Sequence, residues 1–387
     1  MPVPVKPDSA AIVGVGYTEL RRKPDRTDVE IGIESCRMAA ADAGIDLSEV
    51  DGICVQGHHY PEPDTDAIAR GLGLKNYTSW RNNGAIGMAG VGMATRAIES
   101  GKAKAIFICK ILNTVAPVLT PLIDPDTGEV DGPAQFEVPY GLGYTMQRVG
   151  LYCRRYMHQY GITPEQVGWV SVVSREHSIE HPYGYQKKPI TIDDYMESRW
   201  IAEPIRLLDC DIPVNGAFTY LITSGERARH LRHPPVWVKG WVTPPNPECY
   251  DDHLWELPGE EMTPVAQQLY RETGLSPKDM DLVSPYDGFS FFVPIWLENL
   301  GICKRGEAGE LLEGGDRIRR TGDTPINTHG GNLSCGRMHG QGHVLEVVEQ
   351  LRRTAGDRQI AKPMKHAVLA TSFPFSGFVG ILSSELD

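Results

Sequence analysis

The feature that most constrains this chain is a pattern that occurs twice. Residues 38–56 and residues 269–287 each read as the end of a helix, a glycine, a turn containing serine, an acidic residue pair and an apolar run. The glycines, Gly44 and Gly274, stand where a helix would end in the left-handed backbone conformation that glycine adopts at little cost. The pattern therefore predicts two related halves.

Each half also carries the same order of strands and helices. A short run rich in β-branched or apolar residues lies near the start and near the end of each half, and a glycine-rich string that opens a helix lies between them. Strands that alternate with helices predict parallel sheets with crossover helices, and hence a duplicated α/β fold. The strands are residues 10–16, 105–109, 235–241 and 367–371, and the strings are residues 83–92 and 329–340.

One stretch of the chain has no counterpart in the second half. It covers about residues 110–205 and includes segments rich in proline and glycine. We interpret it as an inserted loop region that covers a site. The predicted halves are residues 1–234, which include the insertion, and residues 235–387.

Composition excludes several classes of protein. Fifty acidic and 38 basic residues among 387 give a net charge of −12, which argues against a nucleic-acid-binding surface. No apolar stretch approaches the ~18–20 residues that span a bilayer, so we expect no membrane partner. The N-terminal residues show no secretory signal, which makes a cytoplasmic protein the default. The eight cysteines form no CxxC pair, and we expect no metal site.

The first glycine-rich string has a measurable cost. Each glycine inside a helix costs ~1 kcal/mol relative to alanine. Gly84, Gly87, Gly90 and Gly92 therefore indicate that another backbone or a ligand comes close to this helix. Packing alone and a ligand at the helix N-terminus, where N–H groups are free, both remain open.

No G-x-S-x-G elbow, Walker motif or complete dinucleotide-binding glycine motif occurs.

Specific motifs add a family resemblance. Gly330-Gly-Asn-Leu-Ser-Cys-Gly is similar to the Gly-Gly-x-x-Ser-x-Gly-His-Pro-x-Gly loop of the thiolase superfamily, and Ser284-Pro-Tyr-Asp-Gly-Phe is similar to its His-Asp-x-Phe motif. Across essentially its whole length the chain resembles the sterol-carrier-protein-type thiolases. The resemblance implies a duplicated thiolase fold with α/β/α/β/α layers, an inserted loop domain and a homodimer.

The departures from the thiolase pattern fall on the residues that perform Claisen chemistry. Gly84 stands where the family has its nucleophilic cysteine, and glycine cannot form an acyl-enzyme. Arg337 replaces the histidine that activates the cysteine, and Tyr286 replaces the histidine of His-Asp-x-Phe. The late Cys-x-Gly motif is replaced around residues 373–380. We therefore expect no ordinary thiolase activity.

One subgroup shares the loss of the nucleophile and the tyrosine of the second motif, although it carries a tyrosine where this chain has Arg337. The chain resembles the steroid side-chain-cleaving aldolases, which lack the nucleophile and carry Tyr-Asp-x-Phe; residues 198–210 are also typical of them. The resemblance implies retro-aldol cleavage of a bulky 3-hydroxyacyl-CoA without acyl-enzyme, metal or Schiff base, and with no cofactor other than the coenzyme A of the substrate. It also implies a small partner protein of the OB-fold and zinc-ribbon type.

The retro-aldol reaction assigns roles to the residues of these motifs. It needs a base for the β-hydroxyl proton, stabilisation of a thioester enolate, and an acid that protonates the enolate. Tyr286 is the candidate base, although a phenol has an ordinary pKa of ~10. His339 is a candidate proton donor, and Arg337 could stabilise an enolate oxygen. The candidate substrate-binding residues are Gly84, Asp287, His329, Gly330, Gly331 and Asn332.

Two other functions remain open at this point. A degenerate thiolase-like chain could bind acyl-CoA as a scaffold subunit, or the same enolate could serve an aldol or Claisen-type condensation. Loss of turnover with retained coenzyme A binding in a Tyr286→Phe variant would separate the aldolase from the scaffold.

Overall fold

The fold was analysed in a computed structural model, which describes residue 6 and residues 8–57, 62–80, 87–113, 128–130, 132–243 and 259–386. The strands are β1 (Ala10–Tyr17), β2 (Gly52–Gln56), β3 (Thr78–Trp80), β4 (Ala105–Leu112), β5 (Trp200–Ala202), β6 (Ile205–Arg206), β7 (Gly216–Ser224), β8 (Val236–Val242), β9 (Leu282–Pro285), β10 (His366–Thr371) and β11 (Phe378–Ser383). The helices are α1 (Asp28–Ala43), α2 (Thr65–Leu72), α3 (Met88–Glu99), α4 (Thr145–Tyr160), α5 (Pro164–Glu180), α6 (Ile192–Glu197), α7 (Gly225–Ala228), α8 (Thr263–Thr273), α9 (Phe292–Asn299), α10 (Ala308–Leu312) and α11 (Gln341–Arg352).

The strand order confirms the predicted duplication. Within the described residues, nine strands are hydrogen-bonded in the order β3-β2-β4-β7-β1-β8-β11-β10-β9. The first half reads β1-β7-β4-β2 outward from the centre, and the second reads β8-β11-β10-β9 in the same way. The halves meet at β1 and β8, which pair only through Ala11 with Trp237 and Ile12 with Val236.

The direction of the strands differs from the expected parallel sheets. Strands β2, β3 and β4 are parallel to one another, as are β9 and β10, but β7 and β11 run antiparallel to both of their neighbours. The reason is connection length in the second half: residues 372–377 join β10 to β11, whereas a parallel crossover needs about a dozen residues or more. The sheet is therefore mixed.

Helices α3 and α11 form the central layer. Their apolar faces pack on side chains from both halves of the sheet in one buried cluster. Helices α1 and α2 cover the outer face of the first half, and α8 and α9 cover the outer face of the second. This order matches the expected α/β/α/β/α layers. Two glycines of α3 show why the layer excludes larger residues: a Cβ on Gly90 would lie 2.6 Å from the Tyr220 hydroxyl, and one on Gly92 2.5 Å from the Trp241 ring.

The predicted helix ends are confirmed at both copies of the repeat. Gly44 follows α1 with φ 68°, and Gly274 follows α8 with φ 70°. Both are in the left-handed region, where a side chain would be strained.

The inserted region packs on the second half and carries helices α4, α5 and α6 with the β5–β6 hairpin. Among the described residues, the exposed large apolar side chains belong to this region or directly follow it: Phe136, Tyr140, Tyr144, Leu151, Met196, Trp200 and, just beyond it, Leu207. In the part of the chain that the structure describes, no helix combines the length and the hydropathy needed to cross a bilayer.

Candidate active site

The glycine-rich string of the second half forms a loop whose backbone N–H groups are bound by one carboxylate, that of Asp287. Asp287 is fully buried, and its Oδ1 and Oδ2 accept the N–H groups of Asn332, at 2.8 Å, and Leu333, at 3.4 Å. Gly331, with φ 60°, comes so close that a Cβ there would lie 1.7 Å from Asp287 Oδ2. Residues 331–335 then form a single π-helical turn, a form often found at functional sites. Asp287 thus positions the loop.

Asn332 connects this turn to its surroundings. Its side-chain Oδ1 accepts the N–H of Met338 at 3.2 Å, and its carbonyl oxygen accepts the N–H of Ile212 at 3.1 Å. The Arg337 N–H in turn donates to the Ile212 carbonyl at 2.8 Å. The loop is therefore closed on itself and paired with the segment that precedes β7.

His343, which sequence reasoning missed, lies at the centre of the site. Its Nε2 is 3.2 Å from Asp287 Oδ1, and its Nδ1 is 3.0 Å from Ser284 Oγ and 3.1 Å from Asn327 Oδ1. The same Nε2 is 3.3 Å from the side-chain amide nitrogen of Asn332. The only signal in the sequence is its place in the first turn of a helix that follows the glycine-rich loop. His343 is fully buried, and its contacts link Asp287 to Ser284 and Asn327.

Tyr286 lies between β10 and this histidine. Its N–H donates to the Ala370 carbonyl at 2.8 Å, which anchors the backbone independently of the side chain. The ring is 6.3 Å from the His343 ring and 6.4 Å from that of Phe373, measured between centroids. The residue is buried, and Gly288 leaves room for the ring, because a Cβ there would lie 2.7 Å from Tyr286 Cε1.

His329 packs against the same cluster. Its ring packs edge to face on His343, with centroids 4.8 Å apart. Burial, together with neighbouring histidines and the Arg358 guanidinium, lowers the pKa of His329 well below its ordinary value. At neutral pH this imidazole is uncharged, so it can accept or donate a hydrogen bond but does not supply charge.

Arg337 and His339 lie on the part of the loop that returns to α11. The Arg337 guanidinium is 3.6 Å from Asp211, whose pKa burial raises to about 6 despite that neighbour. His339 is buried, with φ 50°, and Gly340 follows it with φ 83°. This left-handed pair turns the chain sharply into the first residue of α11.

The N-termini of α3 and α11 lie side by side. A Cβ on Gly87, just before α3, would lie 2.9 Å from the carbonyl oxygen of Gly340, just before α11. The Gly87 carbonyl accepts the Tyr220 hydroxyl at 2.7 Å, and the Met88 N–H donates to Thr371 Oγ1 at 3.2 Å. Two positive helix-dipole ends therefore converge. Gly84, which was predicted to bind substrate, lies outside the described residues.

Comparison with known proteins decides the family. The chain is 34% identical to a steroid side-chain-cleaving aldolase from Thermomonospora curvata, over 97% of this chain and 98% of that protein. It is 35% identical to the 17-hydroxy-3-oxo-4-pregnene-20-carboxyl-CoA lyase of Mycobacterium tuberculosis, over 96% and 98% of the two chains. The chain belongs to the steroid side-chain-cleaving aldolases. The predicted family is confirmed.

The other comparisons agree with this aldolase fold. The profile of the family "Thiolase C-terminal domain-like" matches residues 257–376. The solved structure of the Ltp2-ChsH2(DUF35) aldolase superposes with a TM-score of 0.85 at 32% identity and covers 98% of both chains. A monomeric SCP2-thiolase-like protein from Mycobacterium smegmatis, at 18% identity and a TM-score of 0.73, shares the fold.

The aldolase site brings most of the predicted residues together. Asp287, His329, Gly330, Gly331 and Asn332 form one buried cluster, with Tyr286 against its central histidine, His343. Arg337 and His339 lie on the returning arm of the same loop. Whether each of these residues binds substrate or transfers a proton stays a prediction.

A thiol is present in the loop, but its surroundings disfavour the thiolate. Cys335 is buried, and burial raises the pKa of its thiol to about 12. Its Sγ is 3.9 Å from Nδ1 of His181, which already accepts the Tyr183 N–H at 3.1 Å. Because burial lowers the pKa of His181 to about 3, the imidazole is neutral and does not stabilise a thiolate.

Proposed function

We propose that this aldolase cleaves the Cα–Cβ bond of a 3-hydroxyacyl-CoA thioester by a retro-aldol reaction. The products are a carbonyl compound and a shorter acyl-CoA. The observation that carries the proposal is the position of Tyr286, which lies against the His343–Asp287 pair in a site whose loop thiol is held protonated. The scaffold suits charge stabilisation on a thioester oxygen, whereas the groups needed for acyl transfer are replaced.

The residues have distinct roles in this proposal. In this proposal Tyr286 acts as the phenolate: it takes the β-hydroxyl proton as the carbonyl product forms, and the electrons of the broken Cα–Cβ bond move into the thioester, which becomes an enolate. The adjacent N-termini of α3 and α11 stabilise the negative oxygen. Asp287 and His343 hold the loop and the tyrosine in place. The step needs no oxidant, and we infer no cofactor other than the coenzyme A of the substrate.

The substrate class follows from the relatives rather than from the site. Two proteins at 34% and 35% identity are named for a steroid side chain and for a pregnene-carboxyl-CoA. We therefore infer a bulky, steroid-derived acyl group. We also infer that the protein works in the cytoplasm, because the described cysteines are free thiols, as is usual in a reducing compartment.

A conservative substitution tests the chemistry. We expect Tyr286→Phe to lower kcat by about 10²–10⁴-fold, the usual contribution of a general base, while the affinity for the CoA thioester is retained. Tyr270→Phe is the control, because Tyr270 is also buried and donates its hydroxyl to the Leu300 carbonyl at 3.0 Å, away from the site. Carbonyl product and free acyl-CoA are measured by chromatography.

The outcome separates the proposed aldolase from its alternatives. Cleavage by Tyr286→Phe within threefold of the wild-type rate would reject Tyr286 as the base. If the wild-type protein binds 3-hydroxyacyl-CoA thioesters but releases no carbonyl product, with or without a partner, the scaffold function would be favoured. If the protein forms the 3-hydroxyacyl-CoA from its two products faster than it cleaves it, a condensing enzyme would be favoured.

We propose in addition that a small OB-fold and zinc-ribbon protein docks on the inserted region, while a homodimer forms elsewhere. The exposed apolar side chains of the insertion support the first contact, since aromatic residues dominate protein interfaces. The Ltp2-ChsH2(DUF35) aldolase is itself an assembly of two components. The outer edge of β3, which pairs only with β2 among the described residues and has Thr78 and Ser79 exposed, suits a second copy of the chain.

The two interfaces can be tested separately. Trp200→Glu and Tyr140→Glu should abolish co-purification with the small partner but leave the homodimer intact in light scattering. Loss of the homodimer with retention of the partner would reverse the assignment of the two surfaces.

A further inference from the structure

A buried lysine lies next to the site but has no role in the steps above. Lys110 is near the end of β4 and is only 4% exposed. Its Nζ donates a hydrogen bond to the carbonyl of Gly57, which follows the neighbouring strand β2. Lysine is rarely buried this deeply unless it is paired or used.

The strand geometry places Lys110 on the site side of the sheet. Ile108, two residues earlier and therefore on the same face, packs against Gly90 of α3 in the central layer. The outward-facing neighbours of Lys110 on β4, Cys109 and Ile111, pack instead in the outer cluster under α1. The lysine side chain thus enters the layer that contains both helix N-termini.

Helix α11 starts directly beside this lysine. The side-chain amide of Gln341, its first residue, donates to the carbonyl of Ile108 at 2.9 Å and to that of Phe218 at 3.4 Å. Phe218 is the partner of Lys110 in the β4–β7 register. The lysine is therefore next to the point where the returning arm of the loop meets the sheet.

The charges around Lys110 keep it near its titration point. Burial lowers the pKa of Lys110 to about 8, and the nearby Arg337 guanidinium acts in the same direction. Glu62, and to a smaller extent Cys109 and Cys54, act against this shift. At neutral pH most of the ammonium is charged, yet it can release a proton far more readily than an exposed lysine.

We propose that Lys110 is the acid that protonates the thioester enolate, with Arg337 as the fixed charge beside it. This inference rests on the proposed retro-aldol function. When the Cα–Cβ bond has broken, Nζ–H of the ammonium transfers a proton to Cα, the enolate electrons form the new C–H bond, and Lys110 is left as the neutral amine. The proton that Tyr286 took from the β-hydroxyl returns to the amine through solvent, which resets both residues.

The reverse half of this step can be tested without the steroid substrate. In D₂O the neutral amine of Lys110 would remove an α-proton from a short acyl-CoA and return a deuteron. We expect wild-type protein, with its partner where one is required, to exchange the α-protons of propanoyl-CoA or acetyl-CoA, as followed by NMR. The exchange rate should rise with pH to a plateau, with an apparent pKa of about 8.

Two substitutions at Lys110 separate proton transfer from structure and from charge. Lys110→Gln keeps a donor for the Gly57 carbonyl and should lose exchange by about 10²-fold or more. Lys110→Arg keeps the charge and should also lose exchange, because guanidinium does not release its proton at accessible pH. Lys239→Met is the control, since Lys239 likewise donates its Nζ to a backbone carbonyl, that of Leu386, far along the chain.

Each result bears on the proposal. Exchange that persists in Lys110→Gln, or that is restored in Lys110→Arg, would overturn the assignment of Lys110 as the acid, whereas cleavage by wild type would leave the aldolase function standing. A wild-type protein that neither cleaves nor exchanges would instead reject the proposed function. If Lys110→Gln lowers the melting temperature by more than Lys239→Met does, its loss of exchange could reflect unfolding. The exchange rate of Lys110→Arg then decides whether Lys110 is the acid.

Discussion

Two glycines with the same backbone conformation differ only in what a side chain would meet. Gly331, in the loop of the site, has φ 60°, and Gly356, after α11, has φ 61°. A Cβ on Gly331 would lie 1.7 Å from Asp287 Oδ2, whereas a Cβ on Gly356 would meet no atom within 4 Å. The pair of alanine variants therefore isolates the contribution of the contact between the loop and Asp287.

The expected magnitudes follow from these contacts. Both alanines pay the cost of a left-handed backbone, about 1–2 kcal/mol. In Gly331→Ala the carboxylate must also move away from the Asn332 N–H, which it accepts at 2.8 Å. A buried hydrogen bond to a charged group contributes about 1.5–3 kcal/mol. We therefore expect Gly331→Ala to lower the free energy of unfolding by about 2.5–5 kcal/mol, against about 1–2 kcal/mol for Gly356→Ala.

Chemical denaturation followed by circular dichroism measures both differences, and product formation shows whether the site is retained. Combining Gly331→Ala with Asp287→Ala removes the atom that the new methyl group meets. The double variant should therefore lose less than the sum of the two single losses. Equal destabilisation by Gly331→Ala and Gly356→Ala would refute the argument that Asp287 sets the loop.

Two further predictions concern stability. Three buried histidines stay neutral in the folded protein, because burial lowers the pKa of His177 and His181 to about 3 and that of His329 well below its ordinary value. Three buried carboxyl groups keep their protons to unusually high pH, because burial raises the pKa of Asp209 and Asp211 to about 6 and that of Glu349 to about 7. Between about pH 4.5 and 6, unfolding takes up protons at the histidines and releases them at the acids, so the urea midpoint of unfolding should change little. Below pH 4, only the histidines of these six groups bind different numbers of protons in the folded and unfolded states, and the free energy of unfolding should fall by up to ~4 kcal/mol per pH unit. A steady decline of the midpoint from pH 6 would contradict this balance. Gly92→Ala should gain helix propensity but force a methyl group to 2.5 Å from the Trp241 ring, for a net loss of about 1–2 kcal/mol in the same assay, and a more stable variant would show that α3 can shift.

The fold was predictable because its information is local and occurs twice. Gly44 and Gly274 mark equivalent helix ends, and the strands near them align the halves. The antiparallel direction of β7 was not predictable in this way, because β7 follows the insertion and pairs with β1 and β4, which are distant in sequence. Direction there depends on where the chain returns to the sheet.

The site was less predictable than the fold. The motif around Tyr286 and the loop beginning at Gly330 were visible because their residues are contiguous. His343 and Lys110 were not: Lys110 is a single charged residue in a strand that otherwise reads as core, and His343 is one of several polar residues in α11. Their significance depends on burial and on neighbours from other elements, which no local pattern encodes.

The arrangement around β9 explains how this scaffold can change its chemistry without changing its shape. Ser284 contacts His343, and Asp287 holds the loop, so these two structural contacts are made by residues on either side of Tyr286. Tyr286 itself is anchored through its backbone N–H, which any residue except proline provides. Gly288 leaves the space into which the ring extends. The side chain at position 286 can therefore be exchanged while the loop and the two helix N-termini keep their geometry.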